Sequence, residues 1–150
     1  MTSKDPKILR PLLYPKFVEW TGLMTQAGLQ FGITRVGCTL DVQMAIYTQG
    51  RLPLVDVNRF RSAVGLWVLS EAENRKVTWT LNSEHIIKDG YANAWDFVLL
   101  KDGKANWDVK CDINQNNVAD YIEAGKLAES LGLISGRIFK TPDHCHIQGK

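Results

Sequence analysis

The hydrophobic rhythm of this chain changes part-way along it, and that change limits the folds open to it. Near the N-terminus Phe17, Trp20, Met24 and Ala27 recur at helical spacing, with Gly28 placed to stop the helix. Thr39 is a good N-cap for a second helix through Leu40, Met44 and Tyr47, ending at Gly50. Val57, Phe60, Val64 and Trp67 predict a third helix, with Gly65 interrupting its pattern. Strand signals then take over. The segment QFGITRV reads as a short strand, KVTWTL alternates and is rich in β-formers, and AWDFVLL reads as a buried strand ending at the turn KDGK. A last helix is expected from about Val118 to Leu131, with Tyr121, Ile122, Ala128 and Leu131 on one side. After it, GRIFK and HCHIQ look like a closing hairpin or edge pair. Helices first, strands mixed in later and no regular βαβ alternation together predict an α+β fold, with a mainly antiparallel sheet flanked by helices.

No internal repeat, low-complexity tract or linker divides the chain, and 150 residues suffice to bury a core without cross-links, so one domain spanning 1–150 is expected. A composition of 45% hydrophobic and 23% charged residues is that of a globular protein. The formal charge of +2, carried by scattered Lys and Arg, gives no basic stripe for nucleic acid, although it permits an anionic polymer as partner. Cys38, Cys111 and Cys145 are odd in number and far apart, which points to reduced thiols made in a cytosol. The N-terminal segment lacks an uninterrupted apolar region and a small-residue cleavage site, so no export signal is expected. No stretch approaches the roughly 20 apolar residues of a membrane span. The five tryptophans, Trp20, Trp67, Trp79, Trp95 and Trp107, are expected to pack in the core and on the strands. The segment KDGKANWD reads as a turn without Ca²⁺-loop spacing among its acidic residues.

Chemistry concentrates in two short segments. The chain has three histidines, His85 in SEHIIKDGYANAWDF and His144 and His146 in TPDHCHIQ, each near carboxylates. Imidazole and carboxylate are suitable zinc ligands, and a catalytic site needs three of them plus an open position for water. The metal would lower the pKa of that water and polarise a carbonyl. In a regular strand His144 and His146 share a face, so both could reach one ion. Asp96 lies among Trp95, Phe97 and Val98, where an unpaired carboxylate would be costly without a cation or hydrogen-bond partners.

The arrangement resembles the zinc D-alanyl-D-alanine carboxypeptidases and dipeptidases, together with the phage L-alanyl-D-glutamate endolysins. The family pattern of Ser-x-His, a Gly/Ala-containing turn, Ala-x-Asp and a final acidic-x-x-His stands here as Ser83-Glu84-His85, Ala94-Trp95-Asp96 and Asp143-His144-Cys145-His146. Upstream, Gln43, Tyr47, Gly50 and Arg51 match a Gln-x-x-x-Tyr-x-x-Gly-Arg run, so the similarity covers about Ile33 to Gln148. The resemblance implies the fold of the D-Ala-D-Ala carboxypeptidase and hedgehog-like domains. It implies His85, Asp96 and His146 as ligands of one Zn²⁺, and Asp143 as the general base that takes a proton from water and hands it to the leaving amine. Pairing Asp143 with His146 demands a twist or bulge between them, and leaves His144 beside the cleft. Ser83, His144 and Arg51 are the candidates for touching substrate.

Two departures stand out. The family places its Asp seven residues after the His, whereas here the gap is eleven and IIKDGYAN fills it. The extra residues are expected to loop out at Gly90 and reshape the cleft rim, with Asp89 a rival ligand. Cys38 stands where the family commonly carries an Arg thought to hold substrate and stabilise the tetrahedral intermediate. Arg35 and Arg51 are the arginines that could take its place. The resemblance implies a peptidoglycan stem-peptide peptidase, cutting L-Ala–D-Glu in the manner of a monomeric phage endolysin made in the host cytoplasm and released to the wall. A D-alanyl-D-alanine carboxypeptidase and a zinc-holding cell-wall binding module without catalysis are the alternatives.

Overall fold

The computed structural model describes residues 1–150 throughout. After a short strand β1 (Thr2–Ser3), α1 (Tyr14–Gln26) buries Phe17, Trp20 and Met24, and Gly28 turns the chain away with a φ of +75°. β2 (Gln30–Arg35) and β3 (Gly37–Cys38) lead into α2 (Leu40–Thr48), which the chain leaves through Gly50 at φ +71°. Thr39 occupies the N-cap position, but Asp41 is the residue whose carboxylate takes a first-turn amide, that of Val42. The third helix, α3 (Leu54–Ala63), is shorter than its apolar pattern suggests. Gly65 adopts φ +76°, and Trp67 lies beyond the helix, exposed, beneath the Arg61 guanidinium at 4.9 Å.

The sheet forms in the second half. β4 (Ala94–Lys101) and β5 (Lys104–Asn106) make a hairpin across the KDGK turn, α4 (Asp120–Ser130) follows, and β6 (Ile134–Ser135) and β7 (His146–Gln148) close the fold. The strand order is β2-β4-β7-β6, all antiparallel, with β5 sharing the edge of β4 that β7 uses further along. β1 and β3 pair separately. This is the expected α+β architecture. Two details differ. The partner of the last strand is Ile134–Ser135, while Gly136–Ile138 of GRIFK is a 3-10 turn, and β7 is an inner strand. KVTWTL makes no strand at all.

Alternation along β4 divides its two faces. Trp95, Phe97 and Leu99 point into a core shared with Phe17, Trp20 and Met24 of α1, Tyr121, Ala124 and Ala128 of α4 and Ile147 of β7. The Trp20 indole N–H donates to the Ala124 carbonyl at 3.0 Å, joining the two helices over the sheet. Truncating a fully buried aromatic of this kind costs about 3–5 kcal/mol. Of the five tryptophans only Trp20 and Trp95 are core; Trp67, Trp79 and Trp107 are exposed.

Candidate metal centre and cleft

The face of the sheet opposite the core carries the chemistry. Asp96 lies directly opposite His146 on β7 and directly opposite Arg35 on β2, so the three form one row across three strands. A β-bulge makes this possible. Ile33 pairs with Phe97, and regular pairing would then set Thr34 against Asp96 and Arg35 against Trp95 on the core side. The extra residue in β2 moves Arg35 into register with Asp96 and turns its side chain to the chemical face.

His85 reaches the row from outside the sheet. Its segment is strapped to β3 by Cys38 N–H donating to the His85 carbonyl at 2.8 Å and Ile87 N–H donating to the Cys38 carbonyl at 2.9 Å. Buried Ser83 shapes the turn by accepting the His85 N–H on Oγ at 3.2 Å. The residues between His85 and Asp96 loop out as expected: Lys88 and Tyr91 exchange backbone hydrogen bonds across Asp89 and Gly90, whose φ values of 54° and 84° make a type I′ turn. This hairpin lines a separate pocket with Arg10–Leu12 and not the cleft, so it does not reshape the rim, and Asp89 is no rival ligand.

Three atoms converge. His85 Nε2 lies 2.9 Å from Asp96 Oδ1 and 3.1 Å from His146 Nδ1, which is 3.0 Å from the same Asp96 oxygen. The far side of each group is also held. His85 Nδ1 donates to the Val36 carbonyl at 2.8 Å, His146 Nε2 donates to Gln148 Oε1 at 2.8 Å, and Asp96 Oδ2 accepts from Arg35 Nε and Nη2, both at 3.0 Å. With those protons facing outward, neutral imidazoles turn two nitrogen lone pairs and a carboxylate oxygen towards one point. Such a set is repulsive unless a cation or a shared proton sits among it. Corners separated by these distances lie about 1.7 Å from their centre, within reach of the roughly 2.0–2.2 Å bonds zinc makes to nitrogen and oxygen. The donor set therefore fits a metal ion, and outer hydrogen bonds of this kind orient metal ligands.

Without a metal, the electrostatics favour a charged carboxylate, a neutral His85 and a protonated His146 whose proton a metal would displace. Burial acts to raise the Asp96 pKa, but His85, His146 and Arg35 outweigh it and hold the carboxyl well below its ordinary range. Burial pushes His85 down, favouring the neutral ring. It acts the same way on His146, where the hydrogen bond and charge of Asp96 prevail and raise the pKa.

No protein-family model matches the chain, and no curated protein matches its sequence. Solved structures do. The L-Ala D-Glu endopeptidase ChiX of Serratia marcescens superposes with a TM-score of 0.57 at 16% identity, over 100% of this chain and 89% of that one. The chain shares the ChiX fold.

On this ChiX-like scaffold the cluster opens into a cleft of about 500 Å³. Asp143 lines it, ahead of His146 by a turn in which the His146 N–H donates to the Asp143 carbonyl at 3.2 Å. That turn is the twist the motif demands. It needs Gly136, since a Cβ there would lie 2.3 Å from the Asp143 carbonyl oxygen and 3.0 Å from His146 Cβ. Because β7 begins only at His146, His144 sits in the turn and not one strand repeat away. It joins neither the converging cluster nor the cleft lining, contrary to its expected place beside substrate.

The second wall is Val77–Thr80 with Asn82 and Ser83, and the matched Gln-Tyr-Gly-Arg run is what fastens it. Gln43 Nε2 donates to the Thr80 carbonyl at 2.8 Å and to Thr78 Oγ1 at 3.2 Å. Arg51 Nη2 donates to the Thr78 carbonyl at 3.0 Å, with its guanidinium stacked 3.7 Å over the Tyr47 ring. Arg51 thus braces the wall from behind instead of touching the cleft. The arginine in the cleft is Arg35, while Cys38 is fully buried against Gln43. Arg35 and Gln148 carry no motif. Gln148 had a weak signal, since it lies one strand repeat beyond His146, but the bulge that redirects Arg35 has none.

Proposed function

We propose that this chain is a zinc-dependent peptidase that hydrolyses an amide bond in the peptide part of bacterial peptidoglycan, with L-Ala–D-Glu as the bond cut. The observation that carries the reading is the convergence of His85 Nε2, Asp96 Oδ1 and His146 Nδ1 at the floor of a cleft that also holds Asp143. The ChiX-like fold supports it, and the choice of bond rests on that likeness and on the motif resemblance. Zinc held by the three ligands, with a position left open to solvent, would activate water and polarise the scissile carbonyl.

The chain's own residues supply the rest. Asp143, on the cleft wall beside His146, takes the proton from the attacking water and returns it to the leaving amine. Arg35 fixes Asp96 through two nitrogens and turns its guanidinium to the cleft, where it offers positive charge to the developing oxyanion. It supplies from β2 what Cys38 cannot. The setting in which we place this activity, phage lysis of a host cell, rests on the sequence resemblance alone.

Digestion of purified peptidoglycan, with product masses and new amino termini determined, tests the reading. New D-Glu termini that disappear with a chelator and return with zinc are the expected result. Release of D-Ala would make the protein a carboxypeptidase, and zinc binding without any cleavage would reduce it to a binding module.

A further inference from the structure

A second set of oxygen donors lies far along the chain from the first. The run Asp112-Ile113-Asn114-Gln115-Asn116-Asn117-Val118-Ala119-Asp120-Tyr121-Ile122-Glu123 places oxygen-bearing side chains at its first, third, fifth, ninth and twelfth positions. That is the spacing of a twelve-residue Ca²⁺ loop, including the acidic twelfth residue on an exit helix. Here the exit helix is α4, which begins at the ninth position. The sixth position, a glycine in such loops, is Asn117 at φ 65°, a left-handed conformation that Asn accepts more readily than most residues.

The side chains gather as the spacing requires. Asp112 folds under the loop, its two carboxylate oxygens accepting from Asn116 N–H at 3.0 Å and Asn117 N–H at 2.9 Å. The terminal amides of Asn114 and Asn116 both lie 2.9 Å from Oε2 of Glu123. The third, fifth and twelfth positions therefore meet.

Independent of that geometry, two oxygens here lack a partner. Asp120 is fully buried; its Oδ2 accepts from Ile113 N–H inside the loop, while its Oδ1 has no donor. The Asn114 Oδ1 is likewise buried and unpartnered. Buried acceptors are ordinarily matched, and a buried carboxylate ordinarily has a cation or several donors. Asp112, Asp120 and Glu123 form no ion pair with Lys or Arg. Asp120 and Asn114 thus keep unpartnered buried oxygens in a segment with three carboxylates, none of which is paired with Lys or Arg.

We propose that residues 112–123 form a Ca²⁺ site distinct from the histidine cluster, with Asp112, Asn114, Asn116, Glu123 and the Val118 carbonyl as ligands and Asp120 beside them. An all-oxygen set suits a hard cation, so this site and the imidazole-bearing one select different metals. Binding fixes the start of α4, whose Tyr121 hydroxyl donates to the Asn106 carbonyl at 2.7 Å and accepts from Leu99 N–H at 3.1 Å. Calcium thereby ties the loop to β4 and stabilises the domain whether or not it is a peptidase.

Calorimetric titration of the full-length, zinc-loaded protein with CaCl₂ is the test. One saturable site is expected, with a Kd between about 10⁻⁶ and 10⁻³ M and at least about tenfold weaker binding of Mg²⁺. A hundredfold excess over Kd raises the melting temperature by about 5–10 °C, reversibly on dialysis. Asp112→Asn and Glu123→Gln, checked for folding by circular dichroism, each weaken calcium binding at least tenfold with zinc content unchanged. Asn116→Ala serves should either fail to fold. No saturable calcium heat up to about 5 mM, or a calcium response that survives these substitutions in folded protein, overturns the proposal.

Discussion

Gly50→Ala tests whether the loop wall of the cleft is held as the structure has it. Gly50 sits at φ +71°, and a Cβ there would lie 2.2 Å from the backbone nitrogen of Lys76 and 2.6 Å from the carbonyl carbon of Arg75. Backbone cannot swing aside as a side-chain end can. The left-handed conformation alone costs Ala about 1–2 kcal/mol. Relieving the contact means moving the loop off α2, which breaks Gly50 N–H to Asn74 Oδ1, Gln49 Nε2 to the Glu73 carbonyl and Arg51 Nη2 to the Thr78 carbonyl. At about 0.5–1.5 kcal/mol for each hydrogen bond, the whole loss is about 3–6 kcal/mol. For a domain of this size that lowers the melting temperature by roughly 6–24 °C. Gly65→Ala is the control: its φ is +76°, but nothing lies within 4 Å of the added Cβ, so only the conformational cost remains, about 2–8 °C. Thermal melts by circular dichroism compare the two, and peptidase assays well below both transitions show whether KM rises in the Gly50 variant. Equal shifts for the two variants would refute the close approach and, with it, the role given to the Gln-Tyr-Gly-Arg run.

Asp143→Asn is expected to lower kcat by about 10²–10⁴-fold with zinc content unchanged by elemental analysis; lost zinc would show that Asp143 serves the metal instead. His85→Ala should abolish stoichiometric zinc binding, and a variant that retains it would remove His85 from the ligand set. Arg35→Gln should reduce kcat more than it raises KM, because the guanidinium is assigned to the oxyanion; a change confined to KM would make Arg35 a ground-state substrate contact. Zinc affinity should fall on acidification, as a chelator-dye competition from pH 8 to 5.5 will show. The raised His146 pKa means that the metal-free fold gains stability from that proton below the unfolded pKa and loses it as pH rises through the folded one. Zinc must displace the same proton, so the decline begins above pH 6.5 and not below it. A flat profile over that range would show that no such proton is bound.

What was legible in the sequence follows the range of the interactions involved. α1 and α4 were visible because their apolar residues repeat within one element, and Asp96 because a carboxylate among Trp95, Phe97 and Val98 has no local explanation. KVTWTL misled for the opposite reason. Its alternation is real, but the polar groups that might have paired with a strand are taken by side chains, Gln43 and Arg51 reaching Thr78 and Thr80 from 27 to 37 residues away. Nothing inside the segment marks those partners. The Trp67 extension of α3 failed where Gly65 adopts a left-handed conformation and the helix stops. The tryptophans misled because their size suggests burial, whereas Trp79 stands on the cleft wall.

Arg35 shows how a side chain can reach a site from a position that no motif marks. A motif records which position on the chain supplies a group, but the reaction depends only on where the group ends up. Cys38 lies in β3, fully buried, where a guanidinium in its place would have to leave the core to find solvent or substrate. Arg35 lies three residues earlier in β2, and in an unbroken ladder it would face the core as Trp95 does. One extra residue in the strand reverses that, because each one-residue shift of register sends a side chain to the opposite face. The extra residue of the bulge can therefore be removed without losing the arginine: deleting Thr34 makes Arg35 the next residue after Ile33, regularly paired with Asp96 and on the same face, so the variant should keep both guanidinium hydrogen bonds to Asp96, and their loss would refute this register.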